Sequence, residues 1–222
     1  MDIQHALIEQ ICLGDRAGAN ALLDTWGTEH GYERLLIDVL EPTLLLIGDE
    51  WRSSESFTLA QAYVAAKVAE DVITKIATLN RQEAETQRAK GPVVIGNIEE
   101  DFHALGRRMV GTFLRLDGWT VHDLGNDVSP AMFVDKAIEV GARVIGVSAM
   151  MLTTAHNIQQ LRTEIDHRGL TGRIQLAVGG AVFLVCPGLV AEVGGDGTAR
   201  TAIEATRLFD RLWEESVKKD AA

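Results

Sequence analysis

Residues 93–106 read VVIGNIEEDFHALG, and this stretch decides the fold. Val93-Val94-Ile95-Gly96 is a short apolar run of the kind that a strand buried on both faces requires. It stops at three acids, continues into Phe102-His103, and passes Gly106 into a helical pattern. The same alternation recurs toward the C-terminus. PVVIG (92–96), WTVHDLG (119–125), RVIGVSA (143–149), IQLAVGG (174–180) and LVAEVGG (189–195) read as strands. Helical patterns fall at about 103–117, 130–140, 155–168 and 198–217, and the stretch after Gly180 is too short for a full helix. Strands alternating with helices imply an α/β class with a parallel sheet covered on both faces. Five such strands favour the flavodoxin-like order 2-1-3-4-5, with its switch point between the first and third.

The chain before this region has another rhythm. IQHALIEQICLG (3–14) repeats apolar residues at three and four and ends on Gly14, and RAGANALLDTWG (16–27) reads as a second helix closed by Gly27. YERLLIDVLEPTLLLIGDEW (32–51) is a third, expected to bend at Pro42, and residues 57–82 form the longest. Short connections favour a four-helix bundle. Polar residues 81–91 read as a linker, so a helical cap over 1–88 and an α/β domain over 89–222 are expected.

Composition narrows the partners. A net charge of −11 over 222 residues argues against nucleic acid and against an anionic membrane surface. No apolar run approaches membrane-spanning length, and the opening MDIQHALIEQ lacks the features of a signal peptide. Cys12 and Cys186 form no C-x-x-C pair and read as two thiols of a cytoplasmic protein.

Ligands of open parallel sheets bind beyond the carboxyl ends of the strands. Asp101 and His103 follow the first strand and Ser148 ends the third, with Thr153 and Thr154 beyond it. Gly179-Gly180 ends the fourth, and Gly194-Gly195-Asp196 ends the expected fifth. Each has an ordinary explanation: Asp101 as a helix N-cap, His103 as a surface residue, Ser148 as a backbone partner, the glycines as turns. Their gathering on one edge is what favours a site. A His two residues from an Asp suits metal ligation, with one ring nitrogen on the metal and the other donating to the carboxylate. A structural zinc site needs four protein ligands, and no spacing links His122 or His156 to His103. One protein ligand suits a metal already held in a macrocycle, which haem would also satisfy. The glycine-lined edge further suggests an extended ligand entering the domain.

These residues resemble the cobalamin-binding fold, whose motif is D-x-H-x-x-G, then S-x-L, then G-G. Here the pieces are Asp101-Phe102-His103-Ala104-Leu105-Gly106, Ser148-Ala149-Met150 and Gly179-Gly180, with Met150 in place of leucine. The helical half is similar to the cap that precedes this domain in corrinoid methyl carriers and methionine synthase. The resemblance implies His103 as the lower axial ligand of cobalt, in place of the cofactor's own dimethylbenzimidazole. It implies Asp101 as the carboxylate that binds this His, and Thr154 as the relay's hydroxyl. Ser148 would contact the displaced nucleotide tail, for which Gly179 and Gly180 leave room, and Gly106 would let the first helix approach the corrin. Trp51, Phe57 and Gln61 are the cap candidates for the upper face.

Two functions follow from the resemblance. A methyl carrier would hold methylcobalamin for separate methyltransferase subunits. HALGRRMV departs from the carriers' usual H-D-I-G-K-N, with Ala104, Arg107 and Arg108 replacing the residues expected. A light sensor would hold adenosylcobalamin, with a signalling partner and room in this reading for a second chromophore such as a bilin. Cobalamin photoreceptors carry W-x9-E-H in the cap, but here Gln61-Ala62 stands at that spacing from Trp51. A mutase module ranks last, because such modules usually lack this cap. The carrier is the favoured expectation, and the sequence leaves open whether the cap dimerises.

Overall fold

The computed structural model describes residues 2–53, 57–80 and 90–220. The chain divides into two compact units, Met1–Thr86 and Gln87–Ala222. Most of the expected linker lies outside the described residues.

The first unit contains α1 (Ile3–Leu13), α2 (Arg16–His30), α3 (Tyr32–Arg34), α4 (Glu41–Ser53) and α5 (Leu59–Asn80). A π-helical segment, Leu35–Leu40, joins α3 to α4 as one rod, which gives four rods among the described residues. Leu7, Ile11, Leu23, Leu36, Val68 and Val72 are buried among them. Helix α1 ends as expected on Gly14, whose φ of 74° turns its N–H back to the carbonyls of Gln10 and Ile11. Gly27 does not end α2, which runs on to His30. A Cβ at Gly27 would lie 2.9 Å from the Tyr32 ring, so this glycine serves packing rather than termination.

Pro42 acts locally. With no N–H of its own it leaves the Asp38 carbonyl without its helical donor, and Gln4 Nε2 from α1 donates there instead at 3.0 Å. The Glu41 N–H donates to Leu36, five residues back, and the buried Thr43 hydroxyl donates to the Val39 carbonyl at 2.6 Å. The wider turn takes up the disruption that the sequence suggests as a bend.

The second unit is a parallel sheet of β1 (Pro92–Asn97), β2 (Thr120–Asp123), β3 (Val144–Ser148), β4 (Gln175–Gly179) and β5 (Gly197–Thr198). Its order is β2-β1-β3-β4-β5, the expected flavodoxin-like arrangement. Helices α6 (Ala104–Leu116) and α12 (Ala202–Asp220) pack together on one face, and α7 (Pro130–Val140) and α9 (Ile158–His167) on the other. Short helices α8 (Leu152–His156), α10 (Ala181–Val185) and α11 (Leu189–Glu192) lie in the connections. Two glycines inside strands explain how the layers approach. A Cβ at Gly96 would stand 2.6 Å from the Phe133 ring of α7, and one at Gly146 would stand 2.7 Å from Phe209 of α12. Those two rings are buried in the cores on opposite faces.

The fifth strand differs from expectation. Residues 189–192 are helical, because Leu189 and Val193 recur at four and are both buried while Glu192 is exposed. The strand itself is Gly197–Thr198. Gly194-Gly195-Asp196 therefore precede it instead of ending it. The Asp196 N–H donates to the Leu176 carbonyl at the amino end of β4, away from the carboxyl edge. Among the described residues no helix is long and apolar enough to cross a membrane.

Candidate functional site at the carboxyl edge of the sheet

Parallel register sets the site. Asn97 pairs with Ser148 and Ser148 with Gly179, so the last residues of β1, β3 and β4 form a row across the carboxyl edge. The chain leaving β1 turns at once, with the Asp101 N–H donating to the Ile98 carbonyl at 2.9 Å. Glu100 takes a φ of 67° in this turn, and Asp127, in the loop after β2, takes 56°. The Glu100 N–H donates to Asp127 Oδ1 at 2.8 Å, and the Asp127 N–H donates to the Asp101 carbonyl at 3.2 Å. Two left-handed non-glycine residues thus lock one loop to the other, the sort of strain that surrounding structure must enforce.

This turn buries Asp101 completely and surrounds it with donors. Oδ1 accepts from Asn97 Nδ2 at 2.8 Å and from the His103 N–H at 2.9 Å. Oδ2 accepts from the Met150 N–H at 2.7 Å and from the Thr154 hydroxyl at 2.9 Å. Burial pushes the Asp101 carboxyl up, but these hydrogen bonds outweigh it and hold the group below the usual carboxylate range. Asp101 is therefore an ionised group inside the protein, not merely a helix cap. The residue at the N-cap of α6 is His103, whose side chain makes no capping bond.

His103 Nδ1 lies 3.4 Å from Asp101 Oδ1, and its side chain is 50% exposed. One ring nitrogen thus faces a buried carboxylate while the imidazole remains accessible. The structure brings together Asp101, His103, Met150 and Thr154, four of the residues that the sequence singles out. Ser148 stands beside them in the row, half-buried, with its carbonyl accepting from the Ile98 N–H at 3.1 Å.

The glycines separate into two kinds. Gly180 is explained by the protein itself: its φ is 115°, and a Cβ would fall 1.9 Å from the Ala149 carbonyl oxygen. Gly106 and Gly179 are not so explained, since a Cβ at either would meet no atom within 4 Å. Their smallness keeps space free at the edge. Phe102, Met150, Met151, Leu152, Leu184 and Val185, all at strand exits of this edge, are exposed. An accessible imidazole, open glycine positions and an exposed apolar rim fit a large, flat, mostly apolar ligand with one metal coordination position to fill. They do not fit a metal held by protein alone. Among the described residues no group of three or more His, Cys, Asp or Glu could hold one, and His156 instead meets Glu192 at 3.0 Å.

The cap candidates belong to the other unit. Gln61 forms a capping box: its Oε1 accepts from the Thr58 N–H at 2.7 Å while its own N–H donates to Thr58 Oγ1 at 3.3 Å. Its Nε2 donates to the Cys12 carbonyl at 3.1 Å, so both ends of the amide serve the helical unit. Phe57 is half-buried. Position 51 is helical, and the Trp51 side chain lies outside the described residues.

Sequence reading missed the residues that hold Asp101 from behind. Asn97 is fully buried, and its Oδ1 accepts from Arg107 Nε at 2.7 Å. Arg107, only 8% exposed, also donates to Asp123 and to Asn126 Oδ1. Burial, with Arg108 and Arg115 nearby, pushes the Arg107 pKa down, although a guanidinium stays charged in a protein. An asparagine ending an apolar strand was the available signal.

Comparison with known proteins agrees with this chemistry. Residues 91–207 match the model of the B12 binding domain. Trimethylamine corrinoid protein 2 of Methanosarcina acetivorans is 34% identical over 181 residues, 80% of this chain and 76% of that protein. The monomethylamine corrinoid protein of Methanosarcina barkeri has a similar fold, with a TM-score of 0.73 at 23% identity over 91% of this chain and 94% of that one. The methanol:cobalamin methyltransferase complex MtaBC from the same organism contains a chain with a TM-score of 0.53 at 20% identity, covering 96% of this chain and 80% of that one. A fully buried Asp101, an accessible His103 and this family match lead to one assignment: the chain belongs to the B12-binding family of corrinoid proteins and binds cobalamin.

Proposed function

We propose that this chain is a methyl-carrying corrinoid protein that holds methylcobalamin with His103 as the lower axial ligand of cobalt. The observation that carries the reading is the accessible imidazole set on a fully buried, hydrogen-bonded carboxylate. When bound, the corrin supplies a cobalt that can take a methyl group from one substrate and give it to another.

The chain's residues do the rest. Asp101 favours a proton on His103 Nδ1 and so leaves Nε2 as the donor to cobalt. Thr154 and the Met150 N–H hold the Asp101 carboxylate in place, so that it would keep a proton at His103 Nδ1 and leave Nε2 free for the cofactor. Ser148 and Gly179 stand side by side at the ends of β3 and β4 and would flank the cofactor's nucleotide tail, with Gly180 next to them. Gly106 lets α6 approach the macrocycle. Separate methyltransferase subunits in the cytoplasm bind the methyl donor and acceptor. The names of the relatives, a methylamine corrinoid protein and a methyltransferase complex, support this reading.

The test is an absorbance spectrum of protein reconstituted in the dark with methylcobalamin and with adenosylcobalamin, repeated after illumination. Methylcobalamin is expected to bind with its nucleotide base displaced, and His103→Ala is expected to abolish the His-ligated spectrum. A stable light product accompanied by a change in oligomeric mass would replace the carrier reading with a sensor.

A further inference from the structure

We infer that Arg107 is a positioning residue of the cobalt-side loop: its guanidinium fixes which way the buried Asn97 amide points, and through that amide it aligns Asp101 and His103. This role rests on the cobalamin reading above and adds a residue to that site.

A buried asparagine can fill one space in two orientations, which differ in the end that donates. Arg107 Nε donates to Asn97 Oδ1 at 2.7 Å. That leaves Nδ2 toward the loop, where it donates to Asp101 Oδ1 at 2.8 Å and to the His103 carbonyl at 3.1 Å. Reversal would set the amide's N–H against a guanidinium N–H, and its oxygen against a carboxylate and a carbonyl. Without the arginine, Oδ1 loses its Arg107 donor, and the orientation rests on the acceptors at Nδ2 alone.

Arg107 is itself held from behind. It donates to the Asp123 carboxylate at the end of β2, and to Asn126 Oδ1 at 3.2 Å. Asp123 in turn accepts from the Gly125 N–H at 2.9 Å. The planar guanidinium therefore joins three acceptors and ties the loop after β2 to the loop that carries His103. Lysine offers one nitrogen on a flexible stem and cannot span the same three acceptors.

The experiment uses the full chain, first without cofactor. In protein labelled with 15N-asparagine, exchange of the Asn97 side-chain amide protons is measured in the native chain and in Arg107→Lys. Protection is expected in the native chain and a loss of about tenfold or more in the variant, the scale of one charge-assisted hydrogen bond. Protection unchanged within about twofold overturns the inference. With cobalamin bound, the ratio of His-ligated to His-free cofactor, read from the absorbance spectrum, is expected to fall about tenfold in Arg107→Lys. In an Asn97→Ala background the same substitution should change that ratio no further, because the effect travels through Asn97. A full fall in that background, or lost stability with an unchanged spectrum, also overturns the inference.

If the arginine variants do not fold, Asn97→Asp keeps the acceptor for Arg107 and places a second carboxylate beside Asp101. The same spectral fall is then expected, and its absence counts against the inference. A spectrum unaffected by His103→Ala would sink the ligation reading instead, while amide exchange in the cofactor-free protein would still decide how Asn97 is held.

Discussion

The two units of this chain use polar residues in opposite ways. In the helical unit the charged pairs lie near the surface, apart from the buried Thr43 and Glu41. Arg16 grips Asp71 through two bonds of 2.8 and 2.6 Å, Asn20 adds another at 2.7 Å, and Lys75 reaches Asp24 at 2.7 Å. In the α/β unit Asn97, Asp101, Arg107 and Thr154 are all buried and form one connected chain from β2 to the β3 exit. Exposed pairs hold helices together cheaply and can be lost singly. A buried ionic chain at a ligand-binding edge exceeds what a sheet needs for stability, and there the demand of chemistry explains it.

The sharpest way to break this contrast is Asp101→Ala, which removes the buried acceptor of four donors at once. It should destabilise the α/β unit by about 3–5 kcal/mol in urea unfolding followed through Trp119 and Trp213. A loss no larger than that of a surface pair would mean that the buried chain is ordinary packing.

Acid distinguishes the units next. Asp101 has a folded-state pKa below its unfolded value, so its stabilisation is full above the usual carboxylate range, about pH 4, and is lost as pH falls through and below it. Asp71 is also held low, chiefly by its hydrogen bond to Arg16, and loses its contribution in the same direction. High salt should weaken the Arg16–Asp71 link and leave the Asp101 contribution nearly intact. Unfolding midpoints from pH 7 to pH 3, with and without salt, measure this, and Asp101→Asn should flatten the salt-resistant part.

A smaller effect is expected from Gln61→Ala. Losing the capping box should cost the helical unit about 1 kcal/mol in urea unfolding and leave the spectrum of bound cobalamin unchanged. A changed spectrum would return Gln61 to the cofactor's surroundings. Smallest of all, Arg34→Ala breaks an exposed pair with Asp38 one helical turn away, and thermal unfolding should register less than about 0.5 kcal/mol.

What the sequence made legible follows the same division. Strands β1, β3 and β4 were readable because each is a short apolar run buried on both faces. Asp101, His103, Ser148 and Gly179 were readable because parallel topology sends strand exits to one edge. The fifth strand was not: two residues carry no periodicity, and Leu189 with Val193 imitates a strand only when the turn between them is ignored. The Asn97–Arg107 link was hidden for a different reason. Arg107 looks like a surface helix residue until the loop after β2 folds over it. Gly179 and Gly180 look alike on paper, and only the position of the Ala149 carbonyl tells them apart.

The π-helical turn before Pro42 has an angular consequence. Leu35, Val39, Thr43 and Ile47, all buried, recur every four residues. On a straight α-helix each such step overshoots a full revolution by about 40°, so the buried stripe would drift about 120° around the rod by Ile47. A turn that closes on the fifth residue absorbs part of that drift and keeps the stripe facing one way. Deleting a single residue within Leu35–Leu40 would rotate everything from Glu41 to Ser53 by about 100° about the rod's axis. The register of the helix at position 51 is therefore set nine or more residues upstream of it, by a proline, the turn before it and the glutamine of a neighbouring helix.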